Sequence, residues 1–224
     1  MERFRVTARI GGAPVIMQGL ALCTPFDSML AWAAIDRMEM QWNRQLEQEE
    51  ADEVINNLPL RKVDLGEGGF LYAASVPSFN GVTVPYAKDV TIRKQMNMQR
   101  MMDRTDDKTL MFFGKSSGPW KTAAPTYSPV MAQEIQWITD GDIEKVKIII
   151  AGITHIGKKR SIGYGRLIDR LQCEPVDPET PLRRFLPVER FPSVQAQMAI
   201  PVLPPYWKRE TKEVCGLGEV SWTR

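Results

Sequence analysis

The chain holds one histidine, His155, among 224 residues. Chemistry that needs two imidazoles is excluded, and any acid partner to His155 would have to be Lys or Tyr. Cysteine is also scarce. Cys23, Cys173 and Cys215 lie far apart and form no CxxC pair. That spacing argues against a zinc site and a disulfide framework, and it fits the reducing cytoplasm. Neither a metal nor a cofactor is expected. No apolar run approaches the roughly 20 residues that span a bilayer, so no membrane association is expected. The alternating, charged start "MERFRVTARI" does not have the pattern of a secretory signal. Charge of one sign is missing too. Twenty-nine Lys and Arg against 27 Asp and Glu leave a net +2, so contact with nucleic acid must come from local patches. No repeat of fixed period and no low-complexity tract is present.

Hydrophobic residues make up 43% of the chain and charged residues 25%, the balance of a globular protein with a sizeable core. In "RFRVTARI" the apolar residues Phe4, Val6, Ala8 and Ile10 alternate with polar ones, which predicts a half-buried strand. "TPFDSMLAWAAIDRMEMQW" predicts a helix with Pro25 near its start and Asp27 or Ser28 as its cap. Met29, Leu30, Ala33, Ala34 and Met38 recur there at helical spacing. "EQEEADE" reads as a solvated acidic loop. "LPLRKVD", "GGFLYAASV" and "EIQWI" read as strands, and residues 79–85 as a turn leading into another. "TDGDIEKVKIIIAGI" predicts a helix capped by Asp142, with Ile143, Val146, Ile149 and Ile150 inward. "YGRLIDRLQCEP" resumes as a strand. The segment from Pro175 to Pro205 is proline-rich and aperiodic, and "GLGEVSW" reads as a last edge strand. This order suits an α+β fold with a ferredoxin-like core, the split βαβ arrangement.

One stretch concentrates chemistry. "HIGKKRSIGYGRL", residues 155–167, holds three glycines, four cations and the lone histidine. Gly157, Gly163 and Gly165 permit φ > 0 and let backbone N–H groups approach a ligand. Lys158, Lys159, Arg160 and Arg166 add charge, with Ser161 among them. Successive N–H groups beside cations form a concavity suited to phosphate. Tyr164, between two glycines, can stack an unpaired base, worth about 1–3 kcal/mol. The combination favours single-stranded nucleic acid. A dinucleotide fingerprint needs a strand before it and a helix after it, and here the order is reversed. The Walker pattern is missing. The plainer alternative is a helix C-cap at Gly157 followed by a solvated turn.

"ITHIGKKRSIGYGRL" resembles the glycine-rich loop of the CRISPR-associated RAMP superfamily, whose core is a ferredoxin-like, RRM-type fold. "PFDSMLAWAAIDRM" is similar to the aspartate-containing helix motif "D-x-L-L-A" of several members. Asp27, Leu30 and Ala31 match, and Met29 replaces a Leu. "QGLAL" and "ITDGDIEKV" also look like the family. Together they most resemble the Cas-five-like subunit of type IV CRISPR complexes. That resemblance implies a subunit holding the repeat-derived 5′ handle of the crRNA. It also implies contacts with the backbone and large subunits and, through the latter, with the target DNA duplex. The likeness covers residues 1–170 loosely, and the expected organisation is a RAMP domain over residues 1–172 with an inserted arm around 79–125, followed by a proline-rich extension over 173–224 that the resemblance does not reach. The implied RNA-binding residues are Gly157, Lys158, Lys159, Arg160, Gly163, Tyr164, Gly165 and Arg166.

Other residues carry a second reading. His155 could act as general base on a ribose 2′-OH, as in metal-independent crRNA-processing ribonucleases, or it could cap or pack. Arg93, Lys94, Arg100 and Arg104, interleaved with methionines, fit either an RNA-facing arm or a solvated basic face. Lys115, Trp120 and Lys121 in "GKSSGPWK" fit a handle contact or, for Trp120, packing. "PPYWKRETK" near the end, with Tyr206, Trp207, Lys208 and Arg209, fits a contact with nucleic acid or a partner, or a wrap along the fold's edge. The expected function is therefore a non-catalytic crRNA-binding subunit, with an endoribonuclease using His155 as the alternative.

Overall fold

The computed structural model describes residues 1–11, 15–16, 24–66, 69–81, 90–91, 126–127, 129–157, 160, 163–201, 204 and 212–219. In chain order the elements begin with β1 (Glu2–Arg9), β2 (Val15–Ile16), α1 (Phe26–Trp42), α2 (Gln48–Asn56), β3 (Lys62–Gly66), β4 (Gly69–Tyr72) and β5 (Ser78–Asn80). They continue with β6 (Val90–Thr91), β7 (Thr126–Tyr127), β8 (Pro129–Val130), β9 (Glu134–Gly141) and α3 (Ile143–Ile150). The last four are β10 (Gln172–Pro175), β11 (Arg183–Pro187), β12 (Met198–Pro201) and β13 (Lys212–Glu219). Helices mixed with antiparallel sheets make this an α+β fold, as the sequence predicts.

The central sheet has the order β10-β1-β9-β5, and every pairing in it is antiparallel. β1 and β9 pair along their whole length, Val6 opposite Trp137 and Ala8 opposite Ile135. The alternation read in the sequence sets which face is buried. Phe4, Val6 and Ala8 on β1 and Ile135 on β9 are fully inaccessible. They join Leu30, Ala33 and Ala34 of α1 and Val146 and Ile150 of α3 in one hydrophobic cluster. Each large side chain buried there contributes about 1.5–3 kcal/mol. α1 and α3 thus cover one face of the sheet. On the other face Arg3 grips Asp140 and the carbonyls of Pro178 and Thr180, which pins the chain after β10 across the sheet's end.

α3 matches its prediction. The Asp142 carboxylate accepts a bond from the Lys145 backbone N–H at 3.1 Å, and that bond holds its pKa below the usual range. α1 forms as expected, but Asp27 does not cap it. Pro25 occupies the cap position without a side-chain bond, and the helix stops at Asn43 in the left-handed region. Asp27 is fully buried and instead receives two bonds from Arg184 of β11, at 2.8 and 2.9 Å. A bidentate guanidinium competes better for a carboxylate than helix amides do.

The acidic segment expected as a loop is helix α2. Its start is closed by a reciprocal capping box between Glu47 and Glu50, and Ile55 is its one fully buried residue. The Tyr72 hydroxyl on β4 donates to the Ile55 carbonyl at 2.6 Å and ties down the helix end. Burial pushes that phenol up to about 12.

Phe79 and Asn80 belong to β5 rather than to a turn, and Val90–Thr91 pairs with Thr126–Tyr127. The proline-rich extension is not irregular throughout. β10 lies in the central sheet, and a second sheet of order β11-β13-β12 follows. Its last strand is the middle one, not the edge that "GLGEVSW" suggests. Leu71, Phe185, Leu186, Ile200 and Cys215 form its own small core. Gly216 makes this possible, because a Cβ there would sit 1.9 Å from the Gln195 carbonyl oxygen. Among the described residues, no helix is long and apolar enough to cross a membrane.

Candidate nucleic-acid interface

The glycine-containing stretch after α3 is a loop with a fastened base. Thr154–Ile156 runs antiparallel to Gly165–Leu167, with His155 opposite Arg166. The Ile156 N–H donates to the Gly165 carbonyl at 2.8 Å, and the Leu167 N–H donates to the Thr154 carbonyl at 2.9 Å. The outgoing leg is then stitched to the end of β1. The Gly11 N–H donates to the Arg166 carbonyl at 2.8 Å, and the Ile168 N–H donates to the Arg9 carbonyl at 2.9 Å. Ile153, Ile156 and Leu167 are buried in the main cluster, which seals both legs to the core. The loop therefore springs from a rigid platform.

Gly157, Gly163 and Gly165 all have positive φ, at 83°, 91° and 65°. Their roles differ. A Cβ on Gly165 would lie 1.8 Å from the Ile156 oxygen, so this glycine exists for the close approach of the two legs. A Cβ on Gly163 would meet nothing within 4 Å, so that position is open to an approaching ligand. The Gly163 N–H donates to the Arg160 carbonyl at 2.9 Å and closes a turn at the tip.

Arg166 is exposed and Tyr164 half-buried. Arg160 is half-buried because its guanidinium lies 3.8 Å from the centroid of the Trp32 ring on α1. His155 is half-buried at the loop base, its Nδ1 2.9 Å from the Thr154 hydroxyl. Gly157, Arg160, Gly163, Tyr164, Gly165 and Arg166 are thus brought together in one loop. Lys158, Lys159 and Ser161 lie outside the described residues. So do Arg93, Lys94, Arg100, Arg104, Lys115, Trp120 and Lys121, and the Tyr206–Arg209 segment of the tail. Among the described residues no group of three His, Cys, Asp or Glu side chains is placed to hold a metal ion.

Trp32 is the residue that reading the sequence for function passed over. The signal was present. The ring stands off the apolar stripe formed by Leu30, Ala33 and Ala34, and it is 38% exposed. The Arg160 guanidinium laid on that ring makes a cation–π contact that ties the loop to α1.

The family model for CRISPR type IV associated protein Csf3 matches residues 4–216. No curated protein matches the chain. The matched span begins on β1 and ends on β13, so it takes in the central sheet, the fastened loop and the second sheet. The chain belongs to the Csf3 family of type IV CRISPR-associated proteins.

Proposed function

We propose that the chain is a non-catalytic crRNA-binding subunit of a type IV ribonucleoprotein effector, built on a ferredoxin-like, RRM-type RAMP core. The strand order supports that core. Numbered first to fourth along the chain, the central strands β1, β5, β9 and β10 stand across the sheet in the order fourth, first, third, second, with α1 after the first and α3 after the third. In the Cas-five-like role the subunit holds the 5′ handle and caps the backbone subunits. It meets the large subunit and helps read the motif beside target DNA in the cytoplasm.

The observation that carries the proposal is the loop of residues 157–165. Its legs are bonded to each other and to β1, Gly163 faces open space, Arg160 lies within it and Arg166 follows it. Backbone amides at such positions, with cations beside them, take phosphates. Tyr164 supplies a ring for an unpaired base. A short single-stranded handle offers both, as sequence-specific RNA recognition generally requires.

The test is binding of repeat-derived handle RNA across a range of salt. Replacing Lys158, Lys159 and Arg160 with Ala lowers affinity. It also flattens the plot of log affinity against log salt by about 0.7 for each phosphate no longer neutralised. An unchanged affinity and slope would refute the proposal. In EDTA, labelled repeat RNA stays intact with this protein. Cleavage abolished by His155→Ala would replace the binding role with a ribonuclease one.

A further inference from the structure

α1 and α3 leave a groove between them, lined by Trp32, Asp36, Arg37, Met40, Ile149 and Gly152. Its empty volume is about 470 Å³ and it is open to solvent. Trp32 forms one wall, with the Arg160 guanidinium stacked on its ring. Arg37 is fixed at the other end, where its Nη1 donates to the Ile148 carbonyl at 2.6 Å. Gly152 also lines it, is exposed, and would carry a Cβ that touches nothing within 4 Å. The groove therefore joins an exposed indole, apolar Met40 and Ile149 surface, the Arg37 guanidinium and the Asp36 carboxylate, and the Arg160 guanidinium lies on that indole.

We infer that this groove seats one unpaired nucleobase of the bound RNA, stacked on Trp32 beside Arg160. The inference rests on the proposed RNA-binding role and adds a site to it. The charges favour a nucleotide over an apolar peptide. Arg37 in the groove and Arg160 on its indole wall place positive charge where a strand's phosphates would run, and Asp36 can accept from a base's exocyclic amine. Arg160 also links the two places, because it comes from the loop that takes the phosphates and lies on the ring that takes the base. A strand crossing the loop can thus turn one base into the groove without leaving its backbone contacts.

The experiment uses the full chain and handle RNA. Trp32→Ala is expected to weaken binding about 5- to 150-fold while leaving the salt slope unchanged, because stacking releases no counterions. Trp32→Phe keeps most of the affinity. Gly152→Leu, which adds a bulky side chain to the groove's lining at a position with room for it, is expected to weaken binding in the same way as Trp32→Ala. Wild-type affinity in both Trp32→Ala and Gly152→Leu would overturn the inference and leave the RNA-binding role standing. A fall in salt slope with Trp32→Ala would overturn it as well, since Trp32 would then only prop up Arg160. Intact RNA binding without capture of the neighbouring CRISPR subunits would make the groove a protein-docking face, and would also overturn it. A wild-type chain that binds no handle RNA would overturn the proposed role itself, and the groove assignment with it.

Discussion

Arg184 and Asp27 lie 157 residues apart in sequence and at most 1% exposed, joined by two N–H···O bonds. Arg184 also donates to the Ala74 carbonyl at 3.0 Å. Arg184→Ala would strip both guanidinium bonds from a carboxylate that water cannot reach. The expected destabilisation is about 3–5 kcal/mol, read from urea unfolding of the purified chain. Replacing the two together, as Asp27→Leu with Arg184→Met, should recover most of it, because two apolar groups need no partner. A single variant as stable as wild type would show that the pair fastens nothing. Nothing in the sequence disclosed this pairing. Asp27 sits where caps sit, and Arg184 sits in a proline-rich segment without periodicity. A pairing across such a separation leaves no local pattern. Trp32 was legible only in part, as an aromatic out of phase with its helix.

Among the elements, β1 and α3 were legible because each obeys one period and α3 begins with a capping carboxylate. α2 escaped because its burial rests chiefly on Ile55, too little to set a period, while its capping box uses two glutamates. β13 was read as a strand, but its start at Lys212 and its middle place escaped, because Gly216 and Gly218 interrupt the alternation a middle strand would show. The loop's glycines were legible, but their division of roles was not. The sequence displayed three glycines, and the geometry divides them between base and tip. Gly163→Ala should cost about 1–2 kcal/mol, the penalty of a left-handed alanine in open space. Gly165→Ala should cost more, since its methyl would meet the Ile156 carbonyl, and it should also weaken handle binding by spreading the legs. Equal destabilisation in the two, measured by urea unfolding, would contradict this division of labour.

At the scale of the whole molecule, the two larger sheets and the three helices of the described residues are joined by a few long-range ties. Arg3 holds Asp140 and the chain after β10, and Arg184 holds the second sheet to α1. The central sheet anchors the loop through the end of β1, so a strand bound at the tip pulls against the core and not against a free hairpin. The fold class was readable from the order of strand and helix patterns. The second sheet was not, because prolines and glycines masked its strands. Whether the loop meets RNA decides the role of the whole chain. Crosslinking settles this most directly: the assembled type IV complex is loaded with repeat RNA carrying 4-thiouridine in the handle, irradiated and digested, and the adducts are mapped by mass spectrometry. The predicted result is adducts on the peptide spanning residues 157–167. Handle adducts confined to other subunits, with none on this peptide, would contradict it.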